Sequence, residues 1–196
     1  MKSILFAILP ACAILALSCG KSAPSVEADL IGYELTQVKG SDFYIASKMK
    51  DTMKIQEGYV LDGRKNGLWT DFYVDGRISL IQHFVDGKLH GPSLNLDNRG
   101  QITAQAEYED GVLDGIKASY KFGRPQEEIP YVNGKIHGVM KKYYTNNKLM
   151  EEAEYKDNVQ DGYYRHYNEE GVMDLEYVYK KGEKVSGGIV PPPEIK

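Results

Sequence analysis

The chain has 196 residues, 42% of them hydrophobic and 27% charged, with 20 Gly and 15 Tyr. So much aromatic surface excludes a disordered chain, and so much glycine calls for many turns. A formal net charge of −4, with Lys and Arg interspersed among Asp and Glu, excludes the basic stripe that neutralising nucleic-acid phosphates requires.

At the N-terminus, Lys2 precedes an apolar run from Ile4 to Leu17 and small residues before Cys19. This is the layout of a secretory leader, and the run is short of the roughly 20 residues of a membrane span. Ala16-Leu17-Ser18-Cys19 resembles the bacterial lipobox, whose Cys becomes the lipid-modified, palmitate-bearing first residue of the mature protein. A rival box, Leu9-Pro10-Ala11-Cys12, leaves too short an apolar region, so Cys19 is preferred. A plain secreted protein and an uncleaved anchor remain alternatives. With Cys19 lipidated, no free Cys remains for a disulfide. The resemblance to lipoproteins implies a bacterial envelope location, and Gly20 in place of Asp after the Cys implies the outer membrane. Residues 1–18 are thus expected to be the signal peptide, and 19–34 a lipidated Cys with a small, polar tether.

From residue 63 onward, glycine recurs in three phased sets. One comprises Gly67, Gly91, Gly115, Gly138 and Gly162, a period of 24 with one deletion. A second leads it by four, at Gly63, Gly87, Gly111, Gly134 and Gly182, with Asn158 in line. The third lies midway, at Gly76, Gly100, Gly123 and Gly171, with Asn147. Asn tolerates positive φ best after Gly, so these read as structural left-handed turn sites. The segments between them, such as LWTDFYV and LMEEAEYK, have the length and composition of strands. Asp75-Gly76 reads as a short hairpin turn, and Asp86 to Gly91 as a longer connection. The expected fold is all-β, an elongated antiparallel meander of five hairpin units, 64–87, 88–111, 112–134, 135–158 and 159–182, within residues 64–186. A degenerate unit or cap at 35–63 precedes them, and a Pro-rich tail, 187–196, follows. Pro130 cannot donate to a ladder, so a bulge or break is expected there.

The turn glycines, the aromatic positions and the DGK-x-x-G connection together resemble the variant MORN repeat, seen in bacterial YwqK-like proteins. The stretch Gly67–Gly91 is close to that family's wording, although the second unit has Ser93 and Asp97 where the first has Trp69 and Tyr73. The resemblance implies an elongated sheet of stacked hairpins. The family's antitoxin label fits an exported chain poorly, because a cytosolic toxin would not be met outside the cytoplasm.

Period-two alternation puts Trp69, Tyr73, Ile78, Leu80 and Phe84 on one face, with Tyr144, Leu149, Tyr155, Tyr164, Met173, Tyr177 and Tyr179 as counterparts. Phe72, Tyr143, Tyr167 and charged residues fall on the other. Phe84, Tyr108, Tyr131, Tyr155 and Tyr179 recur three residues before the turn Gly or Asn and are expected to stack as a ladder. These aromatic positions are hydrophobic glue or a binding platform. A long apolar face needs cover, from residues 30–50, from a second copy or from a foreign partner.

No catalytic constellation, phosphate loop or metal spacing stands out, and no cofactor is expected. His90 and His137 sit at equivalent turn positions, and the Asp residues flank turns, where they favour local hydrogen bonds. The function expected is a non-enzymatic, membrane-anchored scaffold for a protein partner or self-association. The alternative is a glycan- or peptidoglycan-binding module.

Overall fold

A computed structural model describes residues 28–191. Cys19 and the expected leader lie outside them. A 3-10 turn at Ala28–Leu30 is followed by β1 (Glu34–Gln37), β2 (Tyr44–Lys50) and β3 (Met53–Leu61). The first unit supplies β4 (Arg64–Phe72) and β5 (Ile78–Val85), and the second β6 (Lys88–Leu96) and β7 (Ile102–Glu109). In the third, β8 (Val112–Leu113) leads to β9 (Gly115–Lys121) and β10 (Arg124–Val132). The fourth holds β11 (Lys135–Ile136), β12 (Gly138–Tyr143) and β13 (Leu149–Lys156), and the fifth β14 (Val159–Tyr167) and β15 (Met173–Lys180). Then comes β16 (Glu183–Ile189), which reaches three residues into the stretch expected to be tail. Strand order follows chain order, so the 16 strands form one antiparallel meander.

Two turn types alternate, with the roles opposite to those expected. Val85 pairs with Lys88 across Asp86-Gly87, whose φ values of 51° and 81° make a type I′ turn matched to strand twist. At the other end Phe72 pairs with Ile78, leaving a loop over 73–77 closed by Tyr73 N–H to Arg77 O at 2.8 Å. Only Gly76 has positive φ in that loop, and a type I′ turn needs two such residues in succession. The third unit differs because its missing residue leaves Phe122-Gly123, both at positive φ, as a two-residue tip between Lys121 and Arg124.

A bulge follows the tip in every unit, with Gln126 the extra residue in the third. Asp71 pairs with Leu80 as expected, but Phe72 pairs with Ile78, so Ser79 is the extra residue. Leu149 likewise opposes Tyr143, and Met173 opposes Tyr167. Ile78, Leu149 and Met173 therefore stand across from aromatics of the other face, and their expected register with Trp69 is corrected.

The units are locked along both long edges. The turn N–H groups of Gly87, Gly111, Gly134, Asn158 and Gly182 donate to Lys65, Leu89, Leu113, Ile136 and Gln160 carbonyls at 2.7–2.9 Å. Each of these carbonyls lies two residues past the preceding turn. On the opposite edge, Tyr73 Oη donates to Leu96 O at 2.6 Å and Tyr144 Oη to Tyr167 O at 2.8 Å. In the tips of the second and fifth units, Asp97 and Asn168 stand in the place of these tyrosines and accept from their own loop N–H groups.

Pro130 does not break its strand. β10 stays continuous, but its ladder to β12 is confined to Glu127↔Lys142 and Glu128↔Lys141 before pairing resumes at Tyr131↔Ile136. His137, between β11 and β12, donates its N–H to Pro130 O at 3.0 Å. The joint of β7 to β9 has the same form, with two pairs, resumption at Tyr108↔Leu113 and Asp114 N–H donating to Glu107 O at 3.0 Å, so the gap belongs to the repeat and the expected disruption by the proline is not seen.

Candidate functional site: an aromatic trough at the C-terminal end

Cross-strand pairing traces one row of side chains along the sheet. It runs Leu35, Ala46, Gly58, Trp69, Gln82, Ser93 and Ala106 in the N-terminal half. In the C-terminal half it runs Met140, Ala153, Tyr164, Tyr177 and Gly187. Alternation puts this row on a single face, although its two ends have different surroundings.

At the N-terminal end the face is a core. Trp69 is 1% exposed and packs with Leu30, Ala46 and Val60. Its indole lies over Gly58, where a Cβ would overlap the ring, and its Nε1–H donates to Tyr59 O at 2.9 Å. Tyr33 meets it edge-on at 5.6 Å and Phe84 at 6.1 Å between centroids. Lys65 lies over the indole, 4.6 Å from its centroid, and pairs with Asp29 at 3.4 Å. Residues 28–33, ahead of the first strand, are thus the lid of this end. Leu30, expected in a flexible tether, is 2% exposed within it.

At the C-terminal end the equivalent surface is a shallow concavity of about 380 Å³. Tyr155, Tyr164, Tyr177 and Tyr179 line it with Met140 and Leu175, and Lys142, Glu151 and Gln160 form a polar margin. All these residues are half-buried over a buried Ala153. Tyr164 and Tyr177 stack at 6.2 Å and 20°, Tyr179 meets Tyr177 edge-on at 6.5 Å, and Lys184 lies 4.3 Å from the Tyr177 centroid. Tyr164 has its pKa pushed up to about 12, by burial first and then by the Glu151 charge. It stays a neutral hydroxyl. Such a surface offers aromatic faces, hydroxyl groups and charges of both signs to an extended ligand.

The opposite face is closed here by ions. Its row reads Glu128, Lys141, Glu152, Arg165, Glu176. Arg165 bonds Glu176 at 2.8 Å and Glu152 at 3.2 Å, which raises its pKa. Tyr167 donates to Glu152 and Tyr143 to Glu128, both at 2.9 Å. The Tyr143 pKa is pushed up to about 12, by burial and then by that hydrogen bond. These groups satisfy one another.

The ten aromatic positions singled out from the sequence are thus distributed over distinct surroundings. Tyr155, Tyr164, Tyr177 and Tyr179 come together in the trough. Trp69 and Phe84 belong to the covered core, and Tyr73 and Tyr144 lock tip loops. Tyr108 and Tyr131 lie on β7 and β10 between the two ends. Phe84, Tyr108, Tyr131, Tyr155 and Tyr179 each oppose a glycine of the preceding strand, Gly67, Gly91, Gly115, Gly138 and Gly162. Successive members are two strands apart, about 10 Å, beyond ring contact, so the expected stacked ladder does not form. Each aromatic instead stands across from a residue that has no side chain. Gly58 and Lys65 escaped the sequence reading, since Gly58 lies outside all three phased sets. His90 and His137 approach Asp110 and Asp157 at 3.8 and 3.5 Å, and no metal-holding cluster occurs among the described residues.

The geometry defines a tandem β-hairpin repeat protein. Residues 136–157 match the family model described as MORN repeat variant, so the chain carries a MORN-type repeat. No curated protein sequence matches. Among solved structures, the crystal structure of TarM is similar at 17% identity and TM-score 0.35, over 56% of this chain and 21% of that one. An S. aureus TarM mutant in complex with Fondaparinux, alpha-GlcNAc-glycerol and UDP is similar over the same shares, at 15% and 0.36. The chain spans about a fifth of the length of TarM.

Proposed function

We propose that the protein is a non-catalytic scaffold of the bacterial cell envelope, tethered through a lipid on Cys19, that binds a protein partner in the trough of Tyr155, Tyr164, Tyr177 and Tyr179. The observation that carries this reading is the unequal cover of one face: where the chain closes over Trp69, the described residues leave the same row open at Tyr164 and Tyr177. Half-exposed tyrosines with a mixed-charge margin suit protein recognition, in which rigid amphipathic rings supply contact area at low entropic cost. The leader and lipobox of residues 1–19 support the location.

The test replaces Tyr164 and Tyr177 by Ala in the full chain and compares envelope proteins retained by it and by the parent. A specific partner lost by the variant, with the circular dichroism spectrum and thermal midpoint nearly kept, supports the reading. Retention of the same proteins by both overturns it. The polar margin of Lys142, Glu151 and Gln160 gives a glycan-binding module as the second reading. Retention by insoluble peptidoglycan that requires the same two tyrosines would favour it.

A further inference from the structure

The segment ahead of the sheet, residues 28–33, lies over Trp69, and the segment after the sheet leaves it beside the trough. β16 pairs Ile189 with Leu175 and Gly187 with Tyr177. Ile189 therefore stands on the trough face, where it is 85% exposed, and Gly187 has no side chain to wall off the Tyr177 ring. Val190 N–H donates to Asp174 O at 2.9 Å, the last rung of this ladder among the described residues. By alternation Pro192 is the next residue to point at β15, and it has no N–H to donate. The ladder cannot go on there, and the chain continues as PPPEIK, residues 191–196.

Composition and reach match that segment to the trough. Val190, Pro191 and Pro192 each precede a proline, which holds them to extended backbone, and three successive prolines favour polyproline II. Such a helix has no internal hydrogen bonds, so its carbonyls need outside donors, and aromatic-lined grooves take it. The trough offers the stacked rings of Tyr164 and Tyr177 and the hydroxyl groups of its lining tyrosines. From Leu175 on β15 to Met140 on β12 is three strand spacings, about 14 Å, and six residues of polyproline II extend about 19 Å. Glu194 and Lys196, which follow the prolines, meet a margin that also carries both signs, in Lys142 and Glu151. We propose that residues 191–196 lie across the trough of their own chain as a polyproline II strap, which a partner must displace. Attachment at Ile189 gives the strap an effective concentration on the order of mM. This inference rests on the reading of the trough as a recognition surface and adds the device that holds it closed until a partner arrives.

The test places a photo-crosslinking residue at Met140, on the far wall of the trough, in the purified full chain. Expected is an intramolecular link to residues 191–196, located by fragmentation mass spectrometry, with a yield independent of protein concentration. The same residue at the neighbouring Lys141, which faces the other side, gives no such link. Pro192→Gly combined with Pro193→Gly lowers the yield severalfold and leaves the circular dichroism spectrum unchanged. Tyr177→Ala does the same. Absence of the link from position 140 overturns the strap. So do equal links from 140 and 141, and a link that forms only between copies as concentration rises. The two readings fail separately. A link with no envelope protein retained through Tyr164 and Tyr177 keeps the strap and removes the partner, and a retained protein with no link does the reverse.

Discussion

Trp69 and Tyr164 occupy the same place in their units, two residues past the repeat glycine, yet one is the centre of a core and the other the wall of a trough. The difference is not in the hairpins, which share register, turns and the turn-edge bonds Gly87 N–H to Lys65 O and Gly182 N–H to Gln160 O. It comes from residues 28–33, which reach the first unit and bring Leu30 and Tyr33 onto the indole. A single-layer sheet has two faces and no second layer, so whatever lies over a face decides whether an aromatic there is structural or available.

The largest effect should come from emptying the covered end. Trp69→Ala should cost about 3–5 kcal/mol, whereas Tyr164→Ala should cost less, about 1–2, since part of its surface is already in water. Urea denaturation of the two variants measures the gap, and equal losses would break the comparison. Gly58→Ala drives a methyl into the indole and should cost about 1–3 kcal/mol, against little change for Ser186→Ala on the outermost strand. In the tip loops, Tyr73→Phe and Tyr144→Phe each remove a hydroxyl bound to the next unit and should cost about 1 kcal/mol.

The smallest effect is on pH. Tyr143 and Tyr164 both have pKa values raised to about 12 from 10.0, so the folded state holds their protons more tightly than the unfolded chain does. Their contribution is complete below pH 10 and is lost as pH rises towards 12. Absorbance titration at 295 nm should show two late-ionising tyrosines, and Tyr143→Phe with Tyr164→Phe should flatten the alkaline decline in stability. An unchanged decline would place its cause elsewhere.

The meander was legible because turn chemistry is periodic. Gly, Asn and Asp mark backbone positions that few other residues tolerate, and they recur whatever the side chains between them do. The allocation of turns was not legible, because Asp-Gly occurs at both hairpin ends and only the conformation of both residues separates Asp86-Gly87 from Asp75-Gly76. Nor were the bulges at residues such as Ser79, which set the placement of Ile78. The division of the aromatic face was not legible either. The residues of β14 and β15 resemble those of the first unit in kind, and the cover over Trp69 is a tertiary event set by Leu30, Tyr33 and Lys65. The role of Phe84 and its counterparts could have been found by reading the two glycine-aromatic sets together as pairs across neighbouring strands.

The most direct test of the unequal face is a photo-crosslinking residue placed at Tyr177 in the trough and, separately, at Tyr44 beneath the N-terminal lid, in the full chain expressed in its own cells. A discrete protein adduct at position 177 and none at 44 is the predicted result. No adduct at 177, or the same adduct at both positions, would contradict it.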